Sequence, residues 1–161
     1  LTQRGVSSAM LRQEVIDHVL AVDYLYLARK ENEILGFSSL QVEETQTYFS
    51  GVVTDPSYQK CGVAIALTQT RIVDTLKMGF TKFWTRTQNP IIDHTLCKLL
   101  EEMQKKEAIT SFNISRELLP CLYKRMLTNE IPLSKDEQIN KIYGNLNYPQ
   151  GDAYRLTITL S

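Results

Sequence analysis

Leu11, Val15, Ile16, Val19 and Leu20 recur at helical spacing behind Ser7 and Ser8, which predicts a serine-capped helix over about 8–21. Three runs rich in aliphatic and aromatic residues follow, at 24–29, 34–42 and 48–54. The polar turn Lys30-Glu31-Asn32-Glu33 separates the first two, so the three runs predict an antiparallel meander. Asp55-Pro56-Ser57 ends the third run, because proline cannot donate to a ladder. The period then turns helical to about residue 77. Gly79 fits the position just past that helix, with Phe80 packing behind it. Residues 82–87 read as a strand containing Trp84. Asn89-Pro90 opens another helix, with Asn as cap and Pro at the first helical position. Its apolar stripe is Ile92, Leu96, Leu99, Leu100 and Met103. Asp93, Lys98, Glu101, Glu102 and Lys105 fall mostly outside the stripe and read as a solvated face.

The remaining third is less regular. Residues 109–114 read as a short strand and 119–127 as a helix with Pro120 in its first turn, while 129–136 is a polar loop. Tyr154, Leu156, Ile158 and Leu160 alternate with Arg155, Thr157 and Thr159, a strand signature. With 141–148 and the turn Pro149-Gln150-Gly151-Asp152, this strand reads as a closing hairpin. The whole predicts an α+β fold: a mixed, mostly antiparallel sheet flanked by helices, in one domain of 161 residues.

Composition narrows the function classes. A hydrophobic fraction of 43% argues against disorder. Eighteen basic and eighteen acidic side chains cancel, which argues against a general nucleic-acid binder. Cys61, Cys97 and Cys121 are too few and too scattered for a disulfide framework or a zinc site, and His18 and His94 alone give no ligand set for a catalytic metal. No apolar run is long enough to span a bilayer, and the polar start carries no signal-peptide pattern, so a reducing, cytoplasmic setting is expected. The chain begins with Leu1 rather than Met, which fits a piece of something longer.

Residues 59–64, Gln-Lys-Cys-Gly-Val-Ala, lie between the third strand and the helix that follows. A short loop with Gly at its centre, opening a helix, directs several backbone N–H groups at one point. That arrangement binds phosphate oxygens.

The order of elements and this loop together resemble the GNAT superfamily of acyl-CoA-dependent N-acetyltransferases. The family carries Gln/Arg-x-x-Gly-x-Gly/Ala in this place. The match is Gln59-Lys60-Cys61-Gly62-Val63-Ala64, with the lead-in Val53-Thr54-Asp55-Pro56-Ser57-Tyr58. The likeness covers about 20–106 and 141–160. It implies that acetyl-CoA is the co-substrate and a primary amine the acceptor, with no metal. The pyrophosphate would meet the amides of residues 61–64, with Gln59 and Lys60 beside it. Val52, Val53 and Thr54 would bond the pantetheine arm as an added strand would, and Asn89 would contact the same arm.

Protein N-terminal acetyltransferases of this superfamily end in a tyrosine-rich hairpin that helps cover the substrate peptide, and residues 147–154 are similar to it. The family's usual acid, a Tyr, falls at Leu96, and its carboxylate position falls near Thr47. The candidates that remain are Glu43, beside Glu44, as base and Tyr148 as acid, with Tyr123 behind it. Roughly 35 residues before the last hairpin read as an insertion. The family's first strand and helix are mostly missing, so a homodimer partner or a neighbouring domain is expected over that sheet edge.

Overall fold

The computed structural model describes residues 12–128 and 130–161. The predicted serine cap at Ser7 and Ser8 lies outside them. The described residues form two compact units, 12–83 and 84–161.

In the first unit, helix α1 (Arg12–Ala21) precedes β1 (Tyr24–Lys30), β2 (Glu33–Val42) and β3 (Thr47–Thr54). The three strands form the predicted antiparallel meander, with Leu27 opposite Phe37 and Ser39 opposite Gly51. A register shift between Ser39 and Gln41 marks a bulge in the β2–β3 ladder. A 3₁₀ turn (Pro56–Tyr58) leads to helix α2 (Val63–Lys77). Gly79 stands at φ +86°, and the N–H groups of Gly79 and Phe80 return to the carbonyls of Leu76 and Thr75. This closes α2 as its Gly-Phe pair predicted.

Three contacts fix α2 on the meander. Thr75 shares a hydroxyl–hydroxyl bond of 2.8 Å with Thr47. Arg71 lies over the Phe49 ring at 4.4 Å. A Cβ on Gly36 would meet the Val53 carbonyl at 2.5 Å and Val63 Cγ1 at 3.1 Å, so only glycine admits this approach. Strand β4 (Lys82–Thr87) begins in this unit, where Phe83 stacks on Phe49.

The second unit holds the rest of β4, then α3 (Pro90–Lys105), β5 (Phe112–Leu119), α4 (Glu137–Tyr143), a 3₁₀ turn (Tyr148–Gln150) and β6 (Ala153–Leu160). The strand order is β4-β6-β5, and β5 and β6 pair antiparallel from Phe112 opposite Leu160 to Leu119 opposite Ala153. Leu96, Leu99, Leu100 and Met103 of α3 are buried, as the stripe predicted.

Four expectations change here. The strand placed at 109–114 is β5, which runs on to Leu119. No helix forms over 119–127. That segment is irregular, with Cys121 and Lys124 at positive φ, and Gln88 holds it by accepting from the Leu127 N–H and donating to the Arg125 carbonyl. The closing hairpin does not form either. Residues 141–143 belong to α4, whose cap Asp136 accepts from the N–H groups of Gln138 and Ile139, and β6 lies between β4 and β5, antiparallel to β5. Ile139 and Tyr143, one helical turn apart, are the buried residues of α4, and this spacing outweighs the alternation read into 141–148. Finally, Asp93 is not on a solvated face. It is fully buried, and Arg116 of β5 grips it through two bonds of 2.7 and 2.8 Å. Cys121 is exposed and Cys97 is half-buried.

Candidate functional site

Strand β3 delivers the chain to the loop 59–64 through a fixed corner. The Asp55 N–H bonds the Leu35 carbonyl, the Asp55 carboxylate accepts from the Ser57 N–H, and the Tyr58 hydroxyl donates to Glu33. Lys60 then takes φ +66° and Gly62 φ +81°. Two left-handed residues within three positions turn the backbone into the first turn of α2.

Gly62 is the cap residue of α2, and no side chain caps this helix. The first bond back into the helix is from the Ala66 N–H to the Gly62 carbonyl. The N–H groups of Gly62, Val63, Ala64 and Ile65 therefore find no acceptor among the described residues. A Cβ built on Gly62 meets nothing within 4 Å, so the space beside Gly62 is open. Cys61 is exposed, and its thiol points back to the Gln59 carbonyl. Exposed Lys60 adds a cation beside the positive end of the helix. The arrangement can hold an anion with several acceptor oxygens.

Val52, Val53 and Thr54 lie at the end of β3 opposite Ser38, Phe37 and Gly36 of β2. The Thr54 hydroxyl is buried without a partner. The structure thus brings the β3 segment and the loop together in the first unit. Glu43 sits in the β2–β3 turn, where its N–H bonds the Gln46 carbonyl and the Gln46 amide donates to its carboxylate at 2.7 Å. Thr47, near which the carboxylate position was expected, is fully buried and spends its hydroxyl on Thr75.

The other two candidates lie in the second unit. Asn89 caps α3, its Oδ1 accepting from the Ile91 N–H at 2.9 Å, while its Nδ2 bonds no described residue. Tyr148 is 2% exposed and its hydroxyl has no partner. Burial pushes this phenol up to about 12. Leu96, where the resemblance led to the expectation of a Tyr, packs in the core.

Sequence reasoning passed over Arg71. Its guanidinium is buried, donates to the carbonyls of Ser39 and Gly51 and to the Thr68 hydroxyl, and has no carboxylate partner among the described residues. Desolvation lowers it to about 10, so it remains charged at neutral pH. The available signal was its spacing: Leu67, Arg71 and Thr75 are successive turns of one buried stripe. Among the described residues no group of His, Cys, Asp and Glu is placed to hold a metal, and no helix is long and apolar enough to cross a membrane.

Comparison with known proteins bears on this geometry. A profile of the acetyltransferase (GNAT) family matches residues 6–102. No match was found among curated proteins. Among solved structures, the ribosomal-protein-S18-alanine N-acetyltransferase from Escherichia coli is similar over 99% of this chain and 83% of its own, with a TM-score of 0.63 and 16% identity. An acetyltransferase from Bacillus subtilis in complex with CoA is similar over 93% of this chain and 85% of its own, with a TM-score of 0.60 and 18% identity. A GNAT family acetyltransferase from Elizabethkingia anophelis with acetyl-CoA bound covers 92% and 83%, with a TM-score of 0.58 and 21% identity. At such identities the likeness speaks for the fold. The family match spans more than half the chain, and with the shared fold it establishes that the chain belongs to the acetyltransferase (GNAT) family.

Proposed function

We propose that this protein is an acetyl-CoA-dependent N-acetyltransferase acting on a primary amine, carried by a small molecule, a peptide or a protein. The observation that carries the reading is the uncapped start of α2, where four N–H groups lack acceptors and Gly62 adjoins open space. The CoA-bound and acetyl-CoA-bound relatives of the same fold support it. Acetyl-CoA supplies an activated thioester carbonyl. The residues fit its diphosphate: the amides of residues 62–65 would donate to phosphate oxygens, whereas the Cys61 N–H, expected among them, bonds the Tyr58 carbonyl; Gly62 leaves room, and Gln59 and Lys60 flank them. Val52, Val53 and Thr54 would hold the arm along β3, and Asn89 would offer it an Nδ2 that bonds no described residue.

An alkyl amine has a pKa of about 10, so it must lose a proton before it attacks. Glu43 is the carboxylate proposed for that role. Tyr148 is proposed on the leaving side. A phenol pushed up to about 12 keeps its proton and suits a hydrogen-bond donor to the departing sulfur. Calorimetry tests the reading: the wild type binds acetyl-CoA and Gly62→Trp does not. A wild type that binds neither CoA nor acetyl-CoA contradicts it.

A second reading, an acyl-CoA-binding module without catalysis, is favoured by Leu96 in the core and Thr47 tied to Thr75. Sustained release of free thiol with any member of an amine panel excludes that alternative.

A further inference from the structure

His18 of α1 reaches across to the meander. Its Nε2 lies 2.8 Å from the Ser39 hydroxyl, which lies 2.9 Å from the Ser50 hydroxyl. The chain is fully buried at its centre, Ser39, and half-open at both ends, His18 and Ser50. It crosses β2 and β3 beside the bulge, where a ladder re-aims its side chains. His18 packs against Gly51, where a Cβ would stand in ordinary contact at 3.5 Å from His18 Nε2. Ser50 precedes by two residues the segment that the proposed function gives to the pantetheine arm.

We propose that, beside Glu43, His18, Ser39 and Ser50 form a proton relay that carries the acceptor amine's proton from Ser50 through His18 to solvent. The inference rests on the acetyltransferase reading above and deepens it. The ammonium proton passes to Ser50 Oγ as the Ser50 hydroxyl proton passes to Ser39 Oγ and that of Ser39 to His18 Nε2. The neutral amine then forms the C–N bond, the C–S bond breaks, and the second nitrogen proton leaves with the sulfur as CoA thiol. His18 returns its proton to solvent.

Burial lowers the His18 pKa from 6.5, so the ring is neutral at pH 7 and passes a received proton on rather than holding it. Among the groups on the packed elements, the Arg71 cation bonds the carbonyls of Ser39 and Gly51, and Asp17 of α1 accepts from Gln13. A purely structural role would tie α1 to the sheet and leave pH dependence untouched.

The test measures CoA thiol release with a panel of spermidine, an amino sugar, an alanine-ended peptide and a lysine peptide, together with calorimetric acetyl-CoA affinity. In the wild type, the rate falls on acidification below the His18 pKa. His18→Gln and Ser50→Ala each lower kcat about 100-fold, keep the acetyl-CoA affinity within about twofold, and lose that acid limb, while Ser50→Thr restores activity. Unchanged kcat and pH profile in His18→Gln with intact acetyl-CoA binding overturns the relay alone. A wild type that binds acetyl-CoA but acetylates no amine overturns the relay and supports the binding-module reading. A wild type that does not bind acetyl-CoA overturns both the relay and the proposed function.

Discussion

Two strand-to-helix junctions in this chain are treated in opposite ways. At the start of α3, the Thr87 hydroxyl accepts from the Asn89 N–H, Asn89 caps the Ile91 N–H, and Asp93 in the first turn is buried against Arg116. At the start of α2, Gly62 offers no side chain and the first-turn amides stay free. A helix normally satisfies its orphan donors with a cap, and α4 does so through Asp136. The α2 junction forgoes that stabilisation, about 1 kcal/mol, and keeps two residues at positive φ. Such an arrangement is expected where the helix end serves a ligand, whereas the α3 junction serves the stability of its own unit.

The largest effect on stability is expected at the closed junction. Asp93→Ala leaves the Arg116 guanidinium without its carboxylate and opens a buried polar site, which costs about 3–5 kcal/mol. Urea unfolding measures it, and a loss under 1 kcal/mol would show that the pair does not anchor α3 to β5. At the open junction the main effect falls on binding. Gly62→Trp costs only about 1 kcal/mol in stability through its positive φ, yet removes CoA binding. Asn89→Ala lowers stability by about 1 kcal/mol and CoA affinity by several-fold. Stability loss with unchanged affinity would assign Asn89 to the cap alone.

A pH effect belongs to the second unit. The Asp152 carboxylate accepts from the N–H groups of Cys121 and Asn147, which holds its pKa below 3.8. A depressed carboxylate stabilises the fold above pH 3.8, and this contribution disappears as the pH falls through the folded value. Asp152→Asn should therefore lower the melting temperature at pH 7 and bring it closer to wild type near pH 2. A constant difference across that range would contradict the assignment. The smallest effect is expected at exposed Lys60, where Lys60→Ala weakens CoA binding a few-fold, roughly 0.3–1 kcal/mol, and less in high salt.

How much of this was legible depended on distance along the chain. The meander, α2 with its Gly79 end, and the Asn89-Pro90 cap follow from local signals, and the structure reproduces them nearly residue for residue. The loop 59–64 was legible because its Gly sits at the junction of a strand and a helix. The errors lie where a distant partner decides. Asp93 looked solvated because Arg116 is 23 residues away. Residues 119–127 looked helical because the Gln88 side chain and Gly151, which hold that segment, are remote in sequence. A Cβ on Gly151 would stand 2.6 Å from the Arg125 nitrogen, a constraint that only the fold reveals. The His18, Ser39 and Ser50 chain was hidden for the same reason, since it joins three elements through common residue types.

The central claim is that the uncapped start of α2 holds the diphosphate of CoA. Its most direct test is a calorimetric titration of CoA into the wild type and into Gly62→Trp, each first shown to be folded by its melting transition. The account predicts saturable heat with one site in the wild type and none in the variant. Equal heats and affinities in both would contradict it.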